Sequence, residues 1–289
     1  MDGLLYVDIC KAIKKELPDI HIHAFSPEEI MYGCARSGLS VKDYLSLLKE
    51  AGLGSLPGTA AEILDQDLRD IISPGRITVD DWINVITTAH KLKIPTTSTI
   101  MYGHVETTEH IAKHLGLIRS IQKETGGFTE FVPLGFVHRE APMYNHNLVK
   151  GISPGPTGQD VIKMHAVSRI MLNNFIDNIQ VSWVNEGTKM SQLLLEAGVN
   201  DFGVTLINES ISTSAGSEYG QLMKPKEIRS LIVSAGIVPA QRNSVYGIVK
   251  VFDESANGNE SLLDTAEVSK FGSYHELIKL DKFRYNHTK

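Results

Sequence analysis

Short apolar runs alternate with longer amphipathic stretches along most of this 289-residue chain, and no other feature restricts its fold as much. A strand covered on both faces reads as a brief β-branched run, whereas a helix packed on it carries apolar residues at a period near 3.6. Residues 6–17 open the series as a helix, with Val7, Ile9, Cys10, Ile13 and Leu17 on the buried side and Pro18 ending it. Ile20-His21-Ile22-His23-Ala24-Phe25 follows as a strand. Ser26-Pro27-Glu28-Glu29 then supplies an N-cap, a proline at the first helical position and an acidic first turn. The cycle recurs. Strands are expected near Leu56 and at 95–101, 128–134, 179–183 and 202–206. Helices are expected at 41–51, 60–72, 79–92, 108–124, 158–174, 188–197 and 225–235.

Strands alternating with helices of this length indicate parallel β/α units. No dinucleotide-binding glycine fingerprint follows any strand, which disfavours a Rossmann sheet. A complete eight-stranded barrel takes about 250 residues. This chain instead opens on a helix and yields six strands within residues 1–247. The expected fold is α/β, a partial TIM-type (β/α) barrel of six strand–helix units whose first two strands are not in the chain. An open six-stranded parallel sheet prints the same pattern. After Tyr246 the cycle lapses. Residues 248–289 are expected to form a linker, solvated at 253–260, and a helical tail at 271–285.

Composition narrows the function classes. Apolar residues make up 42% and charged residues 21%, enough for a sizeable core. A net charge of −6 with no basic block argues against a nucleic-acid partner. No apolar run reaches the length of a membrane span, so no membrane partner is expected. Residues 1–6 lack the basic and apolar segments of a signal peptide, and two cysteines form no disulfide framework, so the expected compartment is the cytoplasm.

Ligands of parallel barrels gather at the C-terminal ends of the strands. Those ends carry His21 and His23, Glu62 behind Pro57-Gly58-Thr59, and Gly103 and Glu106 in Tyr102-Gly103-His104-Val105-Glu106. Further along come Glu130, His138, Gln180, Ser182, Asn208 and the hydroxyl-rich run Ser210-Ile211-Ser212-Thr213-Ser214. Each has a plain reading beside the functional one. Two histidines without a third ligand make no closed metal site, so none is expected at His21 and His23. Glu62 and Glu106 suit the first turn of a helix, where the dipole favours a carboxylate. Residues 210–216 suit a capped turn as well as a nest for a polyol. No serine nucleophile elbow and no P-loop occur.

Taken together, these motifs resemble a known family. Ile20 to Ile30, Pro57-Gly58-Thr59-Ala60-Ala61-Glu62-Ile63-Leu64 and Met101 to Thr107 are similar to segments of the radical SAM enzymes that build the deazaflavin chromophore. Phe128-Thr129-Glu130-Phe131-Val132-Pro133-Leu134, with His138 and Ala141-Pro142 beyond it, points to the tyrosine-using branch of FO synthase, the CofH family. The resemblance runs from near Leu4 to about Tyr246. It implies S-adenosyl-L-methionine and a [4Fe-4S] cluster as cofactors. It implies transfer of the 4-hydroxybenzyl group of L-tyrosine, released by a 5′-deoxyadenosyl radical, onto 5-amino-6-(D-ribitylamino)uracil. The companion FO synthase subunit is the implied protein partner. Glu62, Gly103 and Glu106 would then face S-adenosylmethionine, and His23, Glu130, His138, Asn208, Ser212 and Ser214 the two substrates.

The departures are as informative. The family holds its cluster on a Cys-x3-Cys-x2-Cys loop, and three thiolates are needed to leave one iron open. This sequence has only Cys10 and Cys34. The family's glycine-rich second strand is also absent, and Val204 and Ile237 stand where a second glycine and a basic residue are usual. A branched residue at 204 is expected to crowd the mouth. The chain by itself is therefore expected to be inactive. The alternatives are a menaquinone-pathway relative of the dehypoxanthine futalosine cyclase or aminofutalosine synthase type, and a barrel remnant without radical chemistry.

Overall fold

Hydroxyl and carboxylate caps set most helix starts. Ser26 accepts the Glu29 N–H at 3.3 Å while the Glu29 carboxylate takes the Ser26 N–H at 2.7 Å, a reciprocal capping box. Thr78, Thr107 and Thr157 cap three later helices in the same way. The computed structural model describes residues 2–207, 209–220, 222–252, 261–267 and 280. In chain order its elements are α1 (Leu5–Glu16), β1 (Ile22–His23), α2 (Pro27–Ser37), α3 (Val41–Glu50), β2 (Leu53–Ser55), α4 (Gln66–Ile72) and α5 (Val79–Lys91). Next come β3 (Thr96–Tyr102), α6 (Thr108–Thr125), β4 (Phe128–Gly135), α7 (Pro142–Asn145), α8 (Gly158–Leu172) and α9 (Trp183–Leu195). The last are α10 (Ile211–Ser214), α11 (Pro225–Ser234), β5 (Ala240–Arg242) and β6 (Ile248–Val251), then a 3-10 turn at Leu262–Asp264.

Six strand segments stand side by side in the order of the chain, every contact parallel. Ile22 lies opposite Leu53, Leu56 bridges Thr96, and β3 pairs with β4 as far as Tyr102 opposite Gly135. Phe131 then bridges Ile179, and Gln180 bridges Asp201. The fold is thus α/β with helical crossovers, and its described strands do not close into a ring. One core, around Cys10, Ile30, Cys34, Tyr44, Leu45 and Leu48, packs α1–α3 and β1–β2. The other, around Trp82, Leu115, Phe131, Met164, Ile179 and Trp183, packs α5, α6, α8 and α9 on the later strands. The opposite strand face, here called the inner face, carries Glu130 and Thr99. No described helix is long and apolar enough to cross a membrane.

Several expectations need correction. The helix expected at 60–72 begins only at Gln66, because Ala60 and Glu62 take left-handed φ of 57° and 45°. Such φ values break a right-handed helix. The strands expected at 179–183 and 202–206 shrink to single bridges at Ile179, Gln180 and Asp201. Trp183 already starts α9, whose first turn is separated from the rest by Gly187 at φ 75°. Ile9 and Leu17 are exposed, leaving Val7 and Cys10 as the buried residues of α1. Val204 is also exposed, at the wall of a cavity beside Asp201 and Arg242. An antiparallel hairpin, β5–β6, occupies the region around Tyr246. Residues 253–260 and most of 271–285 lie outside the described residues.

Candidate functional site

The turn after β2 and the first half of β3 are stitched together. Gly58 N–H donates to Thr97 Oγ1 at 2.8 Å, and Thr99 Oγ1 returns a bond to Gly58 O at 2.9 Å. A Cβ on Gly58 would lie 1.9 Å from the Thr97 carbonyl oxygen, so only glycine fits. Arg69, fully buried, donates to the carbonyls of Ala60, Ala61 and Ile77. This web holds the left-handed backbone at Glu62, whose carbonyl accepts Met101 N–H at 2.7 Å. Burial raises the pKa of the Glu62 carboxyl, with Arg69 and Arg76 opposing. Glu106 sits in the turn after β3. Its two carboxylate oxygens accept the N–H groups of Gly103 at 2.6 Å and His104 at 2.9 Å, bracing the turn that leaves β3. Burial lowers the pKa of His104 in that turn, with Glu106 and the bond to the Met101 carbonyl opposing.

A second group gathers on the inner face. His21 and His23 both meet Ser55 Oγ at 2.7 Å. His23 is an exposed residue, and desolvation by the protein around it, then His21 and Arg242, lowers its pKa to about 4. Glu130 on β4 is 8% exposed, and burial pushes its carboxyl up to about 8, with Asp201 adding to the rise and Arg242 opposing it. Tyr246 donates its hydroxyl to Glu130 Oε2. Arg242 grips both oxygens of Asp201, reaches Gln180 Oε1 at 3.4 Å and lies 4.1 Å over the Tyr246 ring. Hairpin β5–β6 thus brings Arg242 to Asp201, 41 residues earlier, and Tyr246 to Glu130, 116 residues earlier. A cavity of about 550 Å³ opens beside Asp201, Gly203, Thr205, Arg242 and Tyr246.

The third group lies past the ends of β3 and β4. A recess of about 330 Å³ is lined by Gly135, His138, Asn185, Glu186 and Tyr219. Asn185 Nδ2 donates to Gly135 O at 3.0 Å, and its Oδ1 accepts from Ser182 Oγ at 3.0 Å and Ser212 Oγ at 3.3 Å. Ser212 therefore adjoins this recess. Ser214 is exposed on α10, and Asn208 lies outside the described residues.

Family models and relatives agree on the family of this chain. Residues 2–118 match the radical SAM superfamily, and residues 125–255 match the CofH/MqnC C-terminal region. A Methanocaldococcus jannaschii protein named 5-amino-6-(D-ribitylamino)uracil–L-tyrosine 4-hydroxyphenyl transferase is 49% identical over 86% of this chain and 70% of its own length. This chain belongs to the CofH family of radical SAM proteins. A Methanothermobacter thermautotrophicus relative with the same name is 48% identical over 85% of this chain and 66% of its own length. The FO synthase of Nocardia farcinica is 47% identical over 84% of this chain and 28% of its own length. The chain spans about two thirds of the length of the archaeal relatives it matches.

Radical SAM proteins use S-adenosylmethionine and a [4Fe-4S] cluster, and the cluster does not fit the residues of this CofH chain. Cys10 and Cys34 are buried and unpaired in the core around α1–α3. Burial raises both thiols, Cys34 to about 11, which disfavours the thiolate that iron requires. No group of three or more His, Cys, Asp or Glu is gathered as a metal site among the described residues.

Sequence reasoning missed Asp201, Arg242, Tyr246 and Glu186. Arg242 and Tyr246 stand where the β/α cycle lapses, and only folding carries them to Glu130. Glu186 carried a usable signal, since Asn185-Glu186-Gly187 follows an expected strand directly.

Proposed function

We propose that this chain is the substrate-binding part of a transferase that moves the 4-hydroxybenzyl group of L-tyrosine onto 5-amino-6-(D-ribitylamino)uracil. The observation that carries the reading is the inner-face group of His23, Glu130, Asp201, Arg242 and Tyr246. A zwitterionic amino acid and a ribityl chain both need several convergent donors and acceptors on an otherwise dry wall. Glu130, protonated at neutral pH, and neutral His23 offer such groups without an unpaired charge.

In this reading residues 1–247 form six units of a TIM-type barrel without its first two strands, and residues 248–289 form the linker and tail. His138, Asn208, Ser212 and Ser214 complete the substrate side. Glu62, Gly103 and Glu106 meet S-adenosylmethionine; the Glu62 carboxylate, with no hydrogen bond to a described residue, suits a ribose hydroxyl. The cluster's thiolates come from outside these 289 residues, and the companion FO synthase subunit is the natural protein partner. Buried, unpaired Cys10 and Cys34 suit the reducing cytoplasm.

Anaerobic calorimetric titration with L-tyrosine and with 5-amino-6-(D-ribitylamino)uracil tests the reading. Both are expected to bind, and Glu130→Ala to weaken at least one. Binding of a futalosine derivative in place of both would move the chain to the menaquinone branch.

A further inference from the structure

Among the described residues, Glu186 is the one carboxyl that lines the recess beyond β3 and β4, apart from Glu218, which is paired with Arg139. Close approaches that only glycine permits build the walls. A Cβ on Gly103 would lie 2.4 Å from the Pro156 ring, and one on Gly155 would lie 2.5 Å from Phe136 O. At Gly187 a Cβ would strike the Tyr219 ring at 2.6 Å, and the positive φ there turns the chain immediately after Glu186. Gly135, packed against Glu186 Oε1, leaves the carboxyl room above the strand end. Tyr102 donates to Glu186 Oε1 at 3.4 Å, and no described residue hydrogen-bonds Oε2.

We propose that Glu186 pairs with the cis-imide edge of the pyrimidinedione ring, donating from Oε2 to a ring carbonyl and accepting the adjacent ring N–H on Oε1. The inference rests on the proposed function and gives that site its pyrimidine-reading residue. A carboxylic acid presents one donor and one acceptor side by side, the complement of an N–H/C=O edge. A carboxylate would face the ring carbonyl with a second acceptor and repel it. Burial raises the Glu186 pKa to about 7, with the Tyr102 bond opposing, so the acid form is populated at neutral pH. The other titratable groups facing it are Tyr102 from β3, His138 and Arg139 from the loop after β4, and Glu218 and Tyr219 from the loop after α10. Asn185, held by Gly135, Ser182 and Ser212, fixes the turn that carries Glu186.

The test titrates the 289-residue chain with 5-amino-6-(D-ribitylamino)uracil at about pH 6 and about pH 8.5, on either side of the Glu186 ionisation. Wild type is expected to bind about tenfold more weakly at the higher pH. Glu186→Gln, which keeps one donor and one acceptor at every pH, is expected to remove that dependence and bind more tightly than wild type at the higher pH. Every other residue is common to both proteins, so the difference between them reports on position 186 alone. Glu186→Ala is expected to lose about 10–100-fold, the loss of two hydrogen bonds, at the lower pH. Circular dichroism shows whether each variant is folded. Binding with the same pH dependence in wild type and Glu186→Gln overturns the inference and leaves the transferase reading standing. Failure of wild type to bind the pyrimidine at either pH overturns both.

Discussion

Tyr246 donates its phenolic hydrogen to the carboxyl of Glu130, 116 residues earlier in the chain. The contact ties the C-terminal hairpin to the middle of the parallel strands. It also gives one oxygen of a buried, largely protonated acid a partner. Arg242, four residues before Tyr246, adds a charge-assisted grip on Asp201.

Removing the phenol should loosen this tie. Tyr246→Phe is expected to lower stability by about 1–2 kcal/mol, since Glu130 Oε2 is left without its donor. Urea unfolding monitored by circular dichroism measures it, and hydrogen exchange should speed up at the β5–β6 amides. Unchanged midpoint and exchange would mean that the bond does not form in solution.

The pH dependence of stability should have two limbs. Glu130 ionises near 4.5 when unfolded but near 8 when folded, so the folded state holds a proton that the unfolded state has released between those values. Its contribution therefore falls as pH rises from about 4.5 to about 8, and Glu130→Gln should flatten that decline. His90 and His165 run the other way. Burial lowers each from 6.5 to about 4, so unfolding takes up protons and stability falls as pH drops through that window. His165→Leu should make the acid limb shallower. Melting temperatures taken across both windows would expose an absent or inverted slope.

Two glycine substitutions should have opposite signs. Gly58→Ala drives a methyl group into the Thr97 carbonyl and should cost about 3 kcal/mol or prevent folding. Gly116→Ala, inside α6 with nothing near its added methyl group, should gain about 0.5–1 kcal/mol. Paired denaturation curves decide this, and equal midpoints would contradict the packing at Gly58.

Reconstitution with iron and sulfide under anaerobic conditions should leave the 289-residue chain without a [4Fe-4S] spectrum, because Cys10 and Cys34 cannot supply three thiolates. A stable cubane absorbance with stoichiometric iron would refute this.

Local chemistry explains why much of the fold was readable. Ser26, Thr78, Thr107 and Thr157 each start a helix, because a cap acts on backbone groups within three residues. The error at 60–72 has the opposite origin. Ala60 and Glu62 are compatible with a helix by propensity, and the distant partners Thr97, Met101 and Trp82 pull that segment into a different path. Of the site, Glu62, Glu106, His23 and Glu130 were visible as polar residues at strand ends. Glu186 escaped because the strand before it shortens to a bridge and α9 begins earlier than its periodicity suggests.

The sequence by itself determined the parallel β/α order, most helix boundaries, the family and the lack of thiolates for a cluster. These follow from periodicity, caps and residue identity, all local or countable properties. Only the tertiary structure decided that Arg242 and Tyr246 reach Asp201 and Glu130, and that Glu186 stands beside Tyr102. It also decided which carboxyls keep their protons. Those outcomes depend on burial and on contacts across more than 40 residues, down to the Arg242–Asp201 pair at a separation of 41, and no local pattern encodes them.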